Sequence, residues 1–569
     1  MRLAAAADRW TLYLDGAKAQ SAARLLPLLY GLVALAYGQD ANWDLGNYHW
    51  YAPFALLNGK IGYDLAPGQW QGYFNPTLDL LYYGLNQLLP APAAGFAMGA
   101  LHGVNALLLL AIARVLLPAG QPRARAAALL LALAGCLQPA FMAGVGNTMG
   151  DNMTTLTVLG ALLLLLRGWP GLLAGGRRGA ATAVLAGLLA GLGTGLKLTN
   201  AVYALALCLA MLGLAMPFRL RVRTAFVFGA GVLAGIGIAA GHWYWRMWSV
   251  FGNPLFPQFN DLFRAPLAAP IGIGDTGWIP KGLAEKLLWP FIFTLQPKRT
   301  IEIFIVPLVW PMLYLAFGWL ALALLRRATA LVPLAPAPPL APRVRYTLLF
   351  MALAYLVWLN LFGIYRYLTP LEVLAPLALW LIVQHLSAHW AAAPRARAAR
   401  LAAGALLLAA VAGQVHGGWG HARWTLAGID ATVPAFAAPR QNLVLTVHGN
   451  PPMGWLVPFF PPELAFVALG GGFPESPAYV ARMEAMMAAR SGPFYVMMTA
   501  AAPQRTARAA AAAAERDTAV LADARQLLAR YRLRYEPSSC TVYPAALGRN
   551  RHAYRLCRVE RLAQQEENQ

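Results

Sequence analysis

Apolar residues recur in stretches long enough, or nearly long enough, to cross a bilayer. A short run covers Leu25 to Tyr37, and others lie near 93–117, 126–143, 153–167, 180–195, 198–216, 224–244, 303–325, 346–364, 369–386 and 400–416. Together they predict about eleven transmembrane helices. The first run lacks a small-residue cleavage signature and further spans follow it, so it reads as a retained helix rather than a signal peptide. After residue 420 the pattern changes. Strand-like runs at Leu443 to Val447, Phe466 to Leu469, Phe494 to Thr499, Thr541 to Tyr543 and Tyr554 to Val559 alternate with helix-like runs at Ala478 to Ala489 and Ala507 to Tyr531. That alternation predicts a small soluble α/β domain. The expected division is 1–420 for the membrane domain and 421–569 for the soluble one.

Composition agrees with a membrane chain. Of 569 residues, 59% are hydrophobic and 12% charged. So apolar a chain is not disordered, and 4 Cys are too few for a disulfide scaffold. Cys540 and Cys557 flank the final turn on candidate paired strands, and would form a disulfide in an oxidising compartment. Cys136 and Cys208 fall within spans and read as packing residues.

The formal net charge is +22, and its placement gives it a meaning. Arg123 and Arg125, Arg177 and Arg178, Arg219, Arg221 and Arg223, Arg326 through Arg345, and Arg395 to Arg400 occupy short connections. The other connections, 38–92, 144–152 and 245–302, are longer or mixed in charge. With an odd number of spans, every Arg-rich connection falls on the side of the N-terminus. The positive-inside bias makes that side cytoplasmic and the C-terminal domain external, which is the periplasm in a bacterial inner membrane. The charge is therefore a topology signal and not a nucleic-acid footprint. The Pro-rich stretch Val332 to Pro342 reads as a cytoplasmic linker.

Ionisable groups beside apolar spans are costly, which makes them functional candidates. On the outer side, Asp40 and Asp44 follow the first span, in a segment that runs through Tyr48 and His49 to Leu57-Asn58-Gly59. A regular helix there would set Asp44, Tyr48, Tyr51 and Ala55 on one face, and its aromatics suggest an interfacial helix. Asp151 precedes the span at 153–167, where it could serve as a helix cap. Lys197, one of six Lys, sits in the outer turn after Gly193-Thr194-Gly195-Leu196. Arg366 and Tyr367 open another span in Tyr365-Arg366-Tyr367-Leu368-Thr369-Pro370. Lys197 and Arg366 suit a phosphate headgroup. The bland alternatives are a snorkelling lysine, and an anchor or an ion pair between Arg366 and Glu372. Arg299 is a further phosphate candidate. No P-loop, GxSxG elbow or paired His motif competes.

In layout, residues 20–420 resemble the GT-C superfamily of integral-membrane glycosyltransferases. The resemblance rests on an acidic residue just after the first helix (Asp40 or Asp44), an aromatic outer segment (Tyr48 to Gly59) and a second acidic loop residue (Asp151). The basic positions Lys197 and Arg366 extend it. It implies inverting transfer of a sugar from a polyprenyl-phosphate donor to a hydroxyl of a glycan, lipid or protein. Asp44 would be the base, with Asp40 as the alternative. Asp151 would orient the acceptor, and Lys197, Arg366, Tyr367, Tyr48, His49 and Arg299 would bind substrate. The adjacent acidic pair of the protein O-mannosyltransferases is absent, since Asp40 and Asp44 are four apart. This chemistry requires no cofactor. A divalent cation (Mg or Mn) shared by Asp44 and Asp151 stays open, because two carboxylates are few oxygens for a site. The competing readings are a lipid-linked-sugar flippase, disfavoured by the lack of inverted repeats, and a non-catalytic subunit for envelope glycan assembly.

Overall fold

The computed structural model describes residues 2–118, 120–328, 339–388, 393–447, 449–502 and 506–562. The Pro-rich stretch lies, through residue 338, outside them. The protein is a polytopic helical membrane protein with a strand-containing C-terminal domain. Helices stand at all the expected places. Seven of them, among the described residues, are long and apolar enough to cross a membrane: Ala17–Tyr37, Ala91–Leu116, Arg177–Leu196, Phe218–Phe251, Val309–Arg326, Pro342–Leu361 and Tyr365–Ser387. Ala124–Cys136 and Leu198–Gly213 are apolar but shorter, and Asp151–Arg167 has 17 residues. About eleven spans are expected from the sequence, and seven described helices meet this length and composition. Asp151–Arg167, enclosed by its neighbours, buries Val158, Leu159, Leu162, Leu163 and Leu166.

Successive helices run in alternate directions, so their connections sort into two ends. The Arg-rich connections gather at one end and support one another there. Arg345 Nη2 donates to Gly213 O at 3.1 Å, Arg221 Nε donates to Met216 O at 2.7 Å, and Ala126 N donates to Asp15 Oδ1 at 3.0 Å. Glycines bring the helices Arg177–Leu196 and Phe218–Phe251 into close contact. A Cβ on Gly187 would lie 2.1 Å from Phe228 O, and one on Gly191 2.1 Å from Val232 O. Gly231 and Gly235 return the contact from the other helix. Small residues four apart permit this approach between apolar helices, and it fixes the C-terminal end of the helix that leads into Lys197.

The C-terminal domain is built on the opposite end. A two-residue ribbon, β1 (Gln39–Asp40) with β2 (His421–Ala422), joins it to the segment that follows the first span. Seven strands follow: β3 (Ile429–Ala431), β4 (Leu443–Val447), β5 (Ala465–Leu469), β6 (Phe494–Ala500), β7 (Leu533–Tyr535), β8 (Thr541–Leu547) and β9 (Asn550–Arg561). Their order is β3-β8-β9-β6-β4-β5, with β7 also paired to β9. β4 is parallel to both β5 and β6, and the remaining pairs are antiparallel. Helices Pro477–Ala488 and Ala507–Ala529 complete the α/β unit. β3 and β7, three residues each, are too short to leave a hydrophobic period.

Cys540 and Cys557 form a disulfide, 17 residues apart. Closing a loop of that size constrains the unfolded chain by about 3 kcal/mol. Replacing both cysteines with serine should lower the stability of the purified protein by about that amount, read as an earlier unfolding of the domain in denaturant.

The segment after the first span is part of the domain's core. Leu45, Trp50, Tyr51 and Phe54 pack in one cluster with Leu443, Phe466 and Tyr479. Leu65 N donates to Phe466 O and Ala468 N to Leu65 O, both at 2.8 Å, so residue 65 covers the edge of β5. The expected interfacial helix is therefore replaced by Tyr51–Leu57, a short helix buried under the domain. Its aromatics meet protein rather than lipid headgroups.

Candidate active site

Asp44, Asp151, Lys197 and Arg366 converge where the bundle meets the C-terminal domain. Arg366 Nη1 donates to Asp44 Oδ2 at 2.8 Å and to Met149 Sδ at 3.3 Å. Lys197 Nζ donates to Asp151 Oδ1 at 2.6 Å and to Met149 O at 2.7 Å. Met149 therefore bridges the two pairs. The Tyr367 ring lies under both cations, 5.1 Å from Lys197 Nζ and 5.4 Å from the Arg366 guanidinium. Trp419 flanks Arg366 from another side at 5.4 Å. These are cation–π distances, and the rings hold the charged heads in a partly desolvated setting.

Local structure explains the placement. Asp151 is the first residue of its helix and Gly150 the cap, with φ of +82°, so the Asp151 carboxylate is free to reach Lys197 instead of capping. Lys197 ends its own helix in an extended conformation. Arg366 lies in the single turn Tyr365–Leu368 that opens the helix beginning at Thr369. Glu372 is not its partner: that carboxylate accepts from Ala140 N, Phe141 N and Tyr365 Oη.

Burial works to raise the Asp44 carboxyl, but Arg366, aided by His49, outweighs it and holds Asp44 below the ordinary carboxylate value. A carboxyl depressed by folding stabilises the fold above its unfolded value of about 4 and loses this contribution as pH falls through the lower folded value. The pair with Arg366 is therefore intact at neutral pH. Burial pushes the Lys197 ammonium down, against the opposing pull of Asp151. Glu302 also faces this region; burial raises its carboxyl and Arg366 lowers it, with burial prevailing.

Donor capacity remains for an anion. An ammonium has three N–H groups and a guanidinium five. Lys197 uses two of its three on Met149 and Asp151. Arg366 engages through Nη1, and its Nε is buried with no hydrogen-bond partner. A phosphate can thus be bound without breaking either ion pair.

The remaining candidates separate into those at the cluster and those away from it. Asp40 is 2% exposed. Its Oδ2 accepts from Thr148 N and Thr148 Oγ1, and its Oδ1 accepts from Asn42 N and Asn42 Nδ2. Four donors occupy it, so it clamps segment 38–92 to segment 144–152. Arg299 pairs with Glu285 and packs over the Trp289 ring. Tyr48 is buried against His49 and Phe74.

The regular helical face expected for Asp44, Tyr48 and Tyr51 is interrupted by a π-turn, Leu45–His49. Asp44 turns to Arg366, while Tyr51 Oη donates to Asp64. The same turn places His49 beside Asp79, with Nδ1 2.7 Å from Asp79 Oδ1. Asp79, Met149, Glu302 and Trp419 join the site without a signal in the sequence that marks them for it. Asp79 precedes an apolar helix and looks like an ordinary cap. Met149 and Trp419 carry no charge to single them out. Among the described residues no three His, Cys, Asp or Glu groups gather as a metal set, and Asp44 and Asp151 each commit an oxygen to a cation.

Comparison with solved structures finds the apo crystal structure of the Archaeoglobus fulgidus oligosaccharyltransferase. It is 13% identical, with a TM-score of 0.45, and the match covers 84% of this chain and 69% of that one. A likeness this loose assigns no activity. No family model and no curated protein matches the chain.

Proposed function

We propose that the protein is a membrane glycosyltransferase that moves a sugar, with inversion, from a polyprenyl-phosphate donor to an acceptor hydroxyl. The observation that supports this best is the joining of Lys197 and Arg366, each paired to a carboxylate and each with N–H groups to spare, at the foot of a lipid-facing bundle. The donor's tail lies along the apolar helices and its phosphate meets the two cations. As the anomeric C–O bond breaks, negative charge grows on the departing phosphate. Fixed cations already in place stabilise that charge without reorganising. The acceptor is a glycan, lipid or protein hydroxyl that enters beneath the C-terminal domain. The Arg-rich connections lie at the opposite end, so the positive-inside bias turns the cluster away from the cytoplasm, toward the periplasm of a bacterial inner membrane.

Proteoliposomes with radiolabelled undecaprenyl-phosphate hexoses and pentoses test the reading. Expected is release of the labelled sugar to water or to an acceptor in a membrane extract. Movement of intact donor across the bilayer would make the protein a flippase, and binding without either would make it an assembly subunit.

A further inference from the structure

One pair in the site is not used by the phosphate chemistry. His49 and Asp79 are each only 7% exposed at the side chain and meet at 2.7 Å through Nδ1 and Oδ1. Asp79 begins the helix Asp79–Leu88. The imidazole lies against the Tyr48 ring, with centroids 4.0 Å apart and planes inclined by 40°, and Tyr48 is held edge-on by Phe74 at 5.6 Å. The ring is therefore fixed in both position and orientation. Its other nitrogen, Nε2, is buried and has no hydrogen-bond partner. Leaving such an atom unpaired is costly unless a ligand supplies the partner.

The π-turn decides where this nitrogen is available. Bonding from i to i+5 brings residues five apart to one face. The 3.6-residue α-helical turn would separate them. Asp44, which caps the turn, and His49, which ends it, are near enough for His49 to help lower the Asp44 carboxyl. The charged and titratable groups around His49 are Asp79 from its own helix, Asp44 and Tyr48 from the turn, and Arg366, Tyr367 and Lys197 from the facing helix ends. With Asp79 accepting the Nδ1 proton, Nε2 carries the lone pair.

We propose that His49 Nε2, oriented by Asp79, takes the proton from the acceptor hydroxyl, while Asp44 holds Arg366 for the leaving phosphate. This rests on the glycosyl-transfer reading above. The hydroxyl oxygen bonds to the anomeric carbon and its proton passes to Nε2. The bond from that carbon to the phosphate oxygen breaks, and its electron pair leaves with polyprenyl phosphate beside Arg366 and Lys197. Asp79 stabilises the imidazolium, which then returns the proton to water. Asp44 is the poorer acceptor, because its bond to Arg366 stabilises the ionised form. Asp79 is a positioning residue. It touches no substrate and acts by fixing the tautomer and orientation of His49.

The test measures two quantities on the intact protein in nanodiscs: affinity for undecaprenyl phosphate, and turnover of whichever radiolabelled undecaprenyl-phosphate sugar the parent uses. His49→Gln is expected to lower turnover by roughly 100-fold or more, within the range of general-base catalysis, with lipid affinity unchanged within about twofold. Asp79→Asn is expected to lower turnover by roughly tenfold or more and to alter the acid limb of its pH profile, since the tautomer is no longer fixed. Added imidazole should restore part of the activity of His49→Ala and none to Asp44→Ala. If His49→Gln keeps more than about a third of parental turnover, the proton acceptor is elsewhere and the transferase reading survives. Loss of lipid binding in His49→Gln, with no imidazole rescue of His49→Ala, would assign His49 to packing and overturn the proposal. A parent that neither binds undecaprenyl phosphate nor turns over any donor removes the transferase reading, and this assignment with it.

Discussion

Arg366→Met should reduce the affinity for undecaprenyl phosphate by about 100-fold, the largest loss expected of any single change in the cluster. Charge-assisted hydrogen bonds contribute about 1.5–3 kcal/mol each, and a guanidinium presents two in parallel to a phosphate. Arg366→Lys keeps the charge but loses the fork, and should fall between the parent and the methionine variant. Lys197→Met removes a single point contact and should cost about tenfold, one charge-assisted bond. Arg366→Met also leaves Asp44 without its cation, with side chains that are 15% and 13% exposed in the parent. Losing one partner of a buried ion pair destabilises by about 3–5 kcal/mol, with the lower end expected at this partial exposure. Asp44→Asn in the same chain removes the stranded charge. The double variant should recover stability but not lipid binding, which separates the two effects. Parental affinity in a well-folded Arg366→Met protein would take the phosphate out of this site. Native mass spectrometry with undecaprenyl phosphate reads the affinity directly.

The second large effect is expected at the seam between the bundle and the C-terminal domain. Lys60 and Asp64 are nearly inaccessible and pair at 3.0 Å. Lys60 Nζ also donates to Pro462 O at 2.9 Å, while Asp64 accepts from Phe466 N at 2.9 Å and Tyr51 Oη at 3.0 Å. Lys60→Met leaves a buried carboxylate without its cation and should cost about 3–5 kcal/mol, seen in thermal unfolding and in faster proteolysis of the domain. The sign of the pH dependence follows from Asp64. Burial raises its carboxyl, although Lys60 and the hydrogen bonds pull the other way, and without Lys60 it rises further. A group whose folded value is raised costs stability above its unfolded value near 4 and regains it as pH falls. The gap between Lys60→Met and the parent should therefore narrow from pH 7 to pH 5. A gap that stays constant would show that the loss comes from packing of the lysine stem.

Asp44, Asp151, Lys197 and Arg366 stand out in the sequence because each lies beside an apolar span, where charge is expensive. Their pairing does not. Both ion pairs form between distant segments, and the same residues equally suit solitary anchors or caps. Arg366 illustrates this, since Glu372 is the acidic residue nearest in sequence and binds backbone amides instead. The π-turn is hidden for another reason. Nothing in Leu45-Gly46-Asn47-Tyr48-His49 distinguishes five-residue from 3.6-residue winding, and the latter would put Asp44 on the face of Tyr51. Burial of Tyr51–Leu57 is equally illegible, because an aromatic helix looks alike whether it meets headgroups or a folded domain. In the C-terminal domain, β4, β5 and β6 are plain from their apolar runs, whereas β3 and β7 depend on their neighbours.

The contact at Gly454 bears on how the chain can be altered as a whole. A Cβ at that position would lie 1.9 Å from Asn47 O, so the C-terminal domain presses bare backbone onto the middle of the π-turn. The domain thereby acts as a mould for the strip that carries Asp44 and His49. A chimera that exchanges residues 429–561 for those of another protein must bring a matching 45–73 with it, or the graft will fold and remain inert. For the same reason, a variant as remote as Gly454→Ala should present as a turnover defect long before it presents as an unstable protein.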